Sequence, residues 1–147
     1  MATATFTDLL RSPKTVAAQA DFGAVTITRR DAADLVLMRA GDLDGMREGV
    51  ALASQVMRAA LAHQGDMPAA LDSILPWASS FSPEGRVQFA TEISQLVWSA
   101  AELGEYSRLL QAYHAWRETA AAIAAGLEPV ASEDWLAPSD YQVVPRP

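Results

Sequence analysis

Residues 22–39 read FGAVTITRRDAADLVLMR, and the rest of the chain is organised around them. Val25 and Ile27 alternate with Thr26 and Thr28, the period of two expected of a half-buried strand. Arg29, Arg30, Asp31 and Asp34 then break the apolar pattern, and Leu35–Met38 is a second short apolar run. Two short strands joined by a charged turn predict a hairpin, although no Asn-Gly or Asp-Gly pair sets its turn type. The two arginines stand where the first strand ends, a position from which guanidinium groups can meet a phosphate backbone. The alternative is a solvated turn in which they pair with Asp31 and Asp34.

Outward from the hairpin, local signals divide the chain. Upstream, Thr5 is a cap for a helical turn starting at Phe6, with Asp8 in that turn. Ser12-Pro13 opens a further helix with an apolar face of Val16, Ala17 and Ala20, ended by Gly23. Downstream, Asp42 is the expected N-cap of a helix running to about His63. Its seam is Leu43, Met46, Val50, Ala53, Met57 and Ala60, at spacings of three and four. Gly45 and Gly49 each lower helix propensity by roughly 1 kcal/mol relative to alanine, which makes sense where another segment approaches closely.

His63-Gln64-Gly65-Asp66-Met67-Pro68 is the best internal boundary. A helix through Leu71, Ile74 and Leu75 is expected after it, ended or kinked by Pro76 before Trp77. Ser82-Pro83-Glu84 opens a longer helix with Val87, Ile93, Leu96, Val97 and Ala100 inward and Gly104 as its stop. Tyr106, Leu109, Leu110, Tyr113, Trp116, Ala120 and Ile123 mark another helix, ended by Gly126. The short turn between these two long helices predicts an antiparallel helical hairpin. From Leu127 the chain changes character. Pro129, Pro138, Pro145 and Pro147 exclude a continuous helix, and Trp135, Tyr141, Val143 and Val144 are apolar anchors along a polar strip. Such a strip lies across its own helices or wraps a partner.

Composition narrows the chemistry. The 147 residues carry a net charge of −7, and half are hydrophobic, so a sizeable core is expected. Residues 1–63 balance seven basic against seven acidic side chains, whereas residues 64–147 carry four basic and eleven acidic. Nucleic acid must therefore meet the first part, while the acidic second part suits a basic protein partner. No apolar run approaches the roughly 18 residues of a membrane span, and MATATFTDLLRSPK has no secretory pattern. The absence of cysteine removes disulfides, thiolate metal sites and cysteine nucleophiles, and fits a cytoplasmic protein. His63 and His114 belong to no metal-spacing motif, and a carboxylate pair such as Glu102 and Glu105 is common on helices. With no phosphate-binding glycine loop and no nucleophile elbow, the expectation is a protein without catalytic activity, cofactor or metal.

The run GAVTITRRDAADLVLMRA, preceded by FTDLLRSPKTVAAQAD and followed by the helix from Asp42, resembles the N-terminal domain of Phd/YefM-type (prevent-host-death) antitoxins. The LLRSPK form is similar to an actinobacterial branch of that family. The resemblance covers about residues 1–63, and its most specific part is the ITRR hairpin in its helical context. It implies a homodimer through paired N-terminal domains, sealed here by Val25, Ile27, Leu35, Leu37, Met46 and Val50. It implies operator DNA bound through Arg29 and Arg30, which match the family's twin basic residues, with Arg11 and Lys14 near its N-terminal basic contacts. It further implies a C-terminal region that blocks a cognate protein toxin, with the complex repressing its own operon. By analogy that toxin is a basic, RNA-cleaving protein.

Two departures matter. The family's Gly-Lys or Gly-Arg-Glu-Pro turn is replaced by Asp31-Ala32-Ala33-Asp34, and residues 67–126 look folded in their own right. Either that helical module is the toxin-docking surface, or the strip carrying Trp135, Tyr141, Val143 and Val144 is. The expected fold is α+β. A DNA-binding and dimerisation domain over residues 1–64 (helix, hairpin, helix) precedes a helical module over 65–126 and an extended proline-rich tail over 127–147. Two other functions fit the same residues: a stand-alone DNA-binding regulator, and a dimeric adaptor that does not touch DNA.

Overall fold

The computed structural model describes residues 1–127 and is a mixed α+β protein. Strand β1 (Ala2–Thr5) leads directly into α1 (Phe6–Arg11) and α2 (Pro13–Ala20), and the chain returns as β2 (Val25–Thr28) and β3 (Leu35–Leu37). The sheet order is β1-β2-β3. β1 and β2 are parallel with Thr5 opposite Thr28, whereas β2 and β3 form the expected antiparallel hairpin with Ile27 opposite Leu35. Alternation in β2 sends Val25 and Ile27 inward, where they join Ala4, Val16 and Ala20 in a small core with Leu9 and Leu37 packed against it.

The caps explain where these helices begin. The Thr5 hydroxyl accepts from the Asp8 N–H at 3.1 Å while the Asp8 carboxylate accepts from the Thr5 N–H at 3.0 Å, a reciprocal capping box. The hydrogen bonds from Thr5 hold the Asp8 carboxyl below the usual carboxylate range. Pro13 occupies the first turn of α2, where its missing N–H costs nothing.

The remainder is helical. α3 (Ala40–Ala62), α4 (Met67–Ile74), a 3₁₀ turn (Pro76–Ser80), α5 (Pro83–Leu103) and α6 (Ser107–Ala124) share one core. The Asp66 side chain accepts from the Ala69 N–H to start α4, and the Ser82 hydroxyl accepts from the Gly85 N–H to start α5. Gly104, at φ +68°, ends α5 and turns the chain back into α6. Phe89 is the hub: its ring centroid lies 5.3 Å from Trp77, 5.6 Å from Phe81 and 5.4 Å from Trp116. The Trp116 indole N–H donates to Glu92 at 2.7 Å, pinning α6 to α5.

Four expectations need correction. Asp42 does not cap α3. The helix starts at Ala40 with Arg39 at the N-cap, and the Asp42 carboxylate instead accepts from Arg39 at 2.8 and 2.9 Å. That contact holds Asp42 below the usual carboxylate range and strengthens the charge on Arg39. The buried face of α3 is Gly49, Leu52, Ala53, Val56 and Ala59, so of the expected seam only Ala53 is fully buried while Met46, Val50 and Met57 are exposed. In α5, Phe89 takes the inward place expected of Val87, which is exposed. Finally, Leu52, Ala53 and Val56 belong to the helical core and not to the small core under the sheet, so in packing terms α3 joins the module that was expected to start at residue 65.

Gly49 explains the turned helix. A methyl group placed there would overlap the Cβ of Tyr106, so only glycine lets α6 close on α3, whereas a methyl at Gly45 would meet nothing nearer than Leu110 Cδ1 at 4.0 Å. Gly49→Ala should therefore destabilise by about 1–3 kcal/mol through overpacking. Gly45→Ala should be neutral or stabilise by up to about 1 kcal/mol through helix propensity. Urea unfolding of the two variants side by side checks the contrast, and equal midpoints would refute the close approach.

Candidate nucleic-acid interface

The site is the six-residue turn between β2 and β3. Asp34 accepts from the backbone N–H of Arg29 at 3.2 Å, closing the turn from its far end. The Arg29 Nε donates to the Ala33 carbonyl at 2.7 Å, which fixes the plane of the guanidinium. Among the described residues neither Arg29 nor Arg30 forms an ion pair, and the ion pairs present lie elsewhere, as at Arg39–Asp42 and Arg86–Asp72. Asp34 thus shapes the turn through a backbone N–H without neutralising an arginine. With Nε engaged, the terminal nitrogens of Arg29 keep the donors that a phosphate oxygen uses.

The parallel register decides what surrounds the turn. Because Thr5 sits opposite Thr28, β1 hands over to α1 at the same sheet edge where β2 hands over to Arg29. The Thr28 hydroxyl donates to the Ala4 carbonyl at 3.4 Å across that edge. Arg11 closes α1 and Lys14 lies in the first turn of α2, both on the connection that carries the chain from β1 to β2. Asp8, at the start of α1, adds a negative charge to that edge.

The residues assigned to a dimer interface divide. Val25 and Ile27 are 0 % and 1 % exposed within their own chain and have no surface to offer a second copy, which corrects their assignment. Leu37 is half-buried against the same small core. Leu35, Met46 and Val50 remain on the surface, as does Val36, which had not been singled out. The anchors Trp135, Tyr141, Val143 and Val144 lie outside the described residues.

His63 follows the last turn of α3, and His114 in α6 lies 3.7 Å from the Glu48 carboxylate. Among the described residues no three histidines, aspartates or glutamates gather as metal ligands would, and no helix is long and apolar enough to cross a membrane. Sequence reasoning missed the exposed Leu61 and Trp98, both apolar and both outside the two seams it traced. Comparison with protein-family models, with curated proteins and with solved structures finds no match to this chain.

Proposed function

We infer that this chain is a non-catalytic antitoxin that binds operator DNA through its N-terminal sheet unit and neutralises a cognate protein toxin by occlusion. The observation that supports the reading is the hairpin turn: two adjacent arginines without ion-pair partners among the described residues, one with its guanidinium plane fixed, at the edge where β1 meets α1. A two-fold dimer doubles this modest patch and lets it follow a duplex, with Leu35, Met46 and Val50 as its surface apolar contacts. The acidic second half suits a basic, nucleic-acid-handling toxin such as an RNA-cleaving enzyme. Neutralisation is stoichiometric: an aromatic-anchored strip or the helical module covers the toxin's working surface, and no cofactor takes part. The site of action in this reading is the cytoplasm.

The test is growth with the gene's immediate chromosomal neighbour expressed alone, and then together with this chain. Arrest by the neighbour, relieved by this chain and accompanied by co-purification of the two, is the expected result. A harmless neighbour, or toxicity that persists with this chain present, would defeat the antitoxin reading.

A further inference from the structure

Helices α3 and α5 run side by side in opposite directions. Met57 and Leu61, late in α3, wall a groove with Val97 and Trp98, whereas Gly49, early in α3, meets Tyr106 just past the end of α5. At about 100° per residue, Met46, Val50, Met57 and Leu61 fall within an arc of about 60° beside the buried face of α3. They are 41–82 % exposed, and Trp98, across the groove, is 62 % exposed. The groove holds about 460 Å³, and no charged side chain lines it. A continuous apolar face of this kind, built from two helices, marks a protein contact.

Charge is confined to the outer edges of the face. Round α3 from the stripe, on the side away from α5, come Arg47 and Arg58. Round α5 from Trp98, on the side away from α3, comes Glu102, one turn further on, and Glu84 stands on the same edge in the first turn. Arg47 lies 3.9 Å from Asp44, whereas neither Arg58 nor Glu102 has an ion-pair partner among the described residues. Three further carboxylates at the ends of the face are engaged. Asp42 accepts from Arg39, Asp66 from the Ala69 N–H and Glu105 from the Ser107 N–H. The face therefore passes from a basic edge on α3, across an apolar middle, to an acidic edge on α5.

We propose that this face is covered by a second copy of the chain, related by a two-fold axis that runs parallel to the two helices. Such an axis lays α3 of each copy over α5 of the other, so the basic edge of one meets the acidic edge of its partner, twice. A two-fold at right angles to the helices would set like edge on like edge, which charge opposes. The axis keeps each residue at its own level, and Trp98 is level with Met57 and Leu61 across the groove. Trp98 of each copy thus seats on the methionine stripe of the other. Glu102 lies about 6 Å along the axis from Trp98, within the span of an arginine and a glutamate side chain, so Arg58 pairs with Glu102 across the interface. The contact takes in Met46 and Val50 but is centred on the helical half, and it stands whether or not the chain binds DNA or a toxin.

Sedimentation equilibrium of the full chain over a concentration series tests it. The parent is expected to dimerise. Arg58→Glu and Glu102→Arg, singly, each place two like-charge contacts in the interface and should weaken the dimer by about tenfold or more, whereas the two together should restore it. Trp98→Ala should weaken it as well, with far-UV circular dichroism unchanged because the ring is exposed. A parent that stays monomeric overturns the proposal. So do single charge swaps with the parental dissociation constant, the result expected of a dimer held by the sheet unit alone. A combined swap as weak as either single one overturns the pairing and with it the orientation. Arg29 and Arg30 take no part in the test, so its failure leaves the DNA-binding reading where it stands.

Discussion

Phe89→Ala should cost about 3–5 kcal/mol of folding stability, the largest effect expected of any single substitution in the described residues. The side chain is 1 % exposed and sits among Trp77, Phe81 and Trp116, with centroid separations of 5.3–5.6 Å. Those neighbours come from the 3₁₀ turn, the approach to α5, and α6, so three segments lose their common contact at once. Rings of that size cannot collapse into the vacated space without leaving their rotamers, and the cavity therefore persists. Trp77 and Trp116 report on the same place, so fluorescence-detected urea unfolding reads the loss directly. A midpoint within error of the parent's would show that the aromatic cluster does not hold the bundle together. Leu103→Ala, at the exposed end of α5, is the control and should fall within about 0.5 kcal/mol.

Arg29→Ala combined with Arg30→Ala should flatten the salt dependence of DNA binding. Each phosphate contact contributes about 0.9 to the slope of log affinity against log salt. A two-fold dimer that loses two cations per chain loses four contacts, a change in slope of about 3.6. Between 50 and 200 mM salt that difference amounts to a factor of about a hundred in affinity. Fluorescence anisotropy on duplex DNA across a salt series measures it. Arg11→Ala with Lys14→Ala should flatten the slope less, because those residues lie on the α1–α2 connection and not in the turn itself. A double variant at Arg29 and Arg30 with the parental slope would remove the turn from the interface and favour the dimeric adaptor.

How much of this could be read from the sequence follows from the range of the interactions involved. Thr5 with Asp8, Asp66 with Pro68, and Ser82 with Gly104 are local devices whose partners lie on their own helix, and each stands where the sequence places it. The β2–β3 hairpin is legible for the same reason, since alternation needs only neighbouring residues. The phase of α3 was not. Its sequence carries two apolar stripes at helical spacing, one through Met46, Val50 and Met57 and one through Leu52, Val56 and Ala59. Which turns inward depends on Tyr106, more than fifty residues later, finding room at Gly49. Periodicity cannot report a contact at that separation. Phe89 was legible but passed over: it stands four residues before Ile93 and eight before Val97 and shares their face, whereas Val87, six before Ile93, does not. At the candidate interface the sequence located the arginines but not their company. That Asp34 bonds a backbone N–H and does not pair with either guanidinium group is a matter of turn geometry.

The core beneath the sheet has consequences for how the chain responds to its own abundance. Its buried members are Ala4, Val16, Ala20, Val25 and Ile27, of which only three exceed alanine in size, and none is shared with the helical core. So few apolar side chains offset little conformational entropy, and local opening of this end is expected to cost less free energy than opening of the bundle. Any ligand that recognises only the closed form draws the equilibrium toward it by mass action. In the proposed function a second copy pressed against Leu35, Met46 and Val50 would be such a ligand, and so would a duplex lying across Arg29 and Arg30. The ordered fraction of the arginine-bearing end would then rise and fall with protein concentration, and in that reading the molecule would gauge its own supply without any change in its helical half.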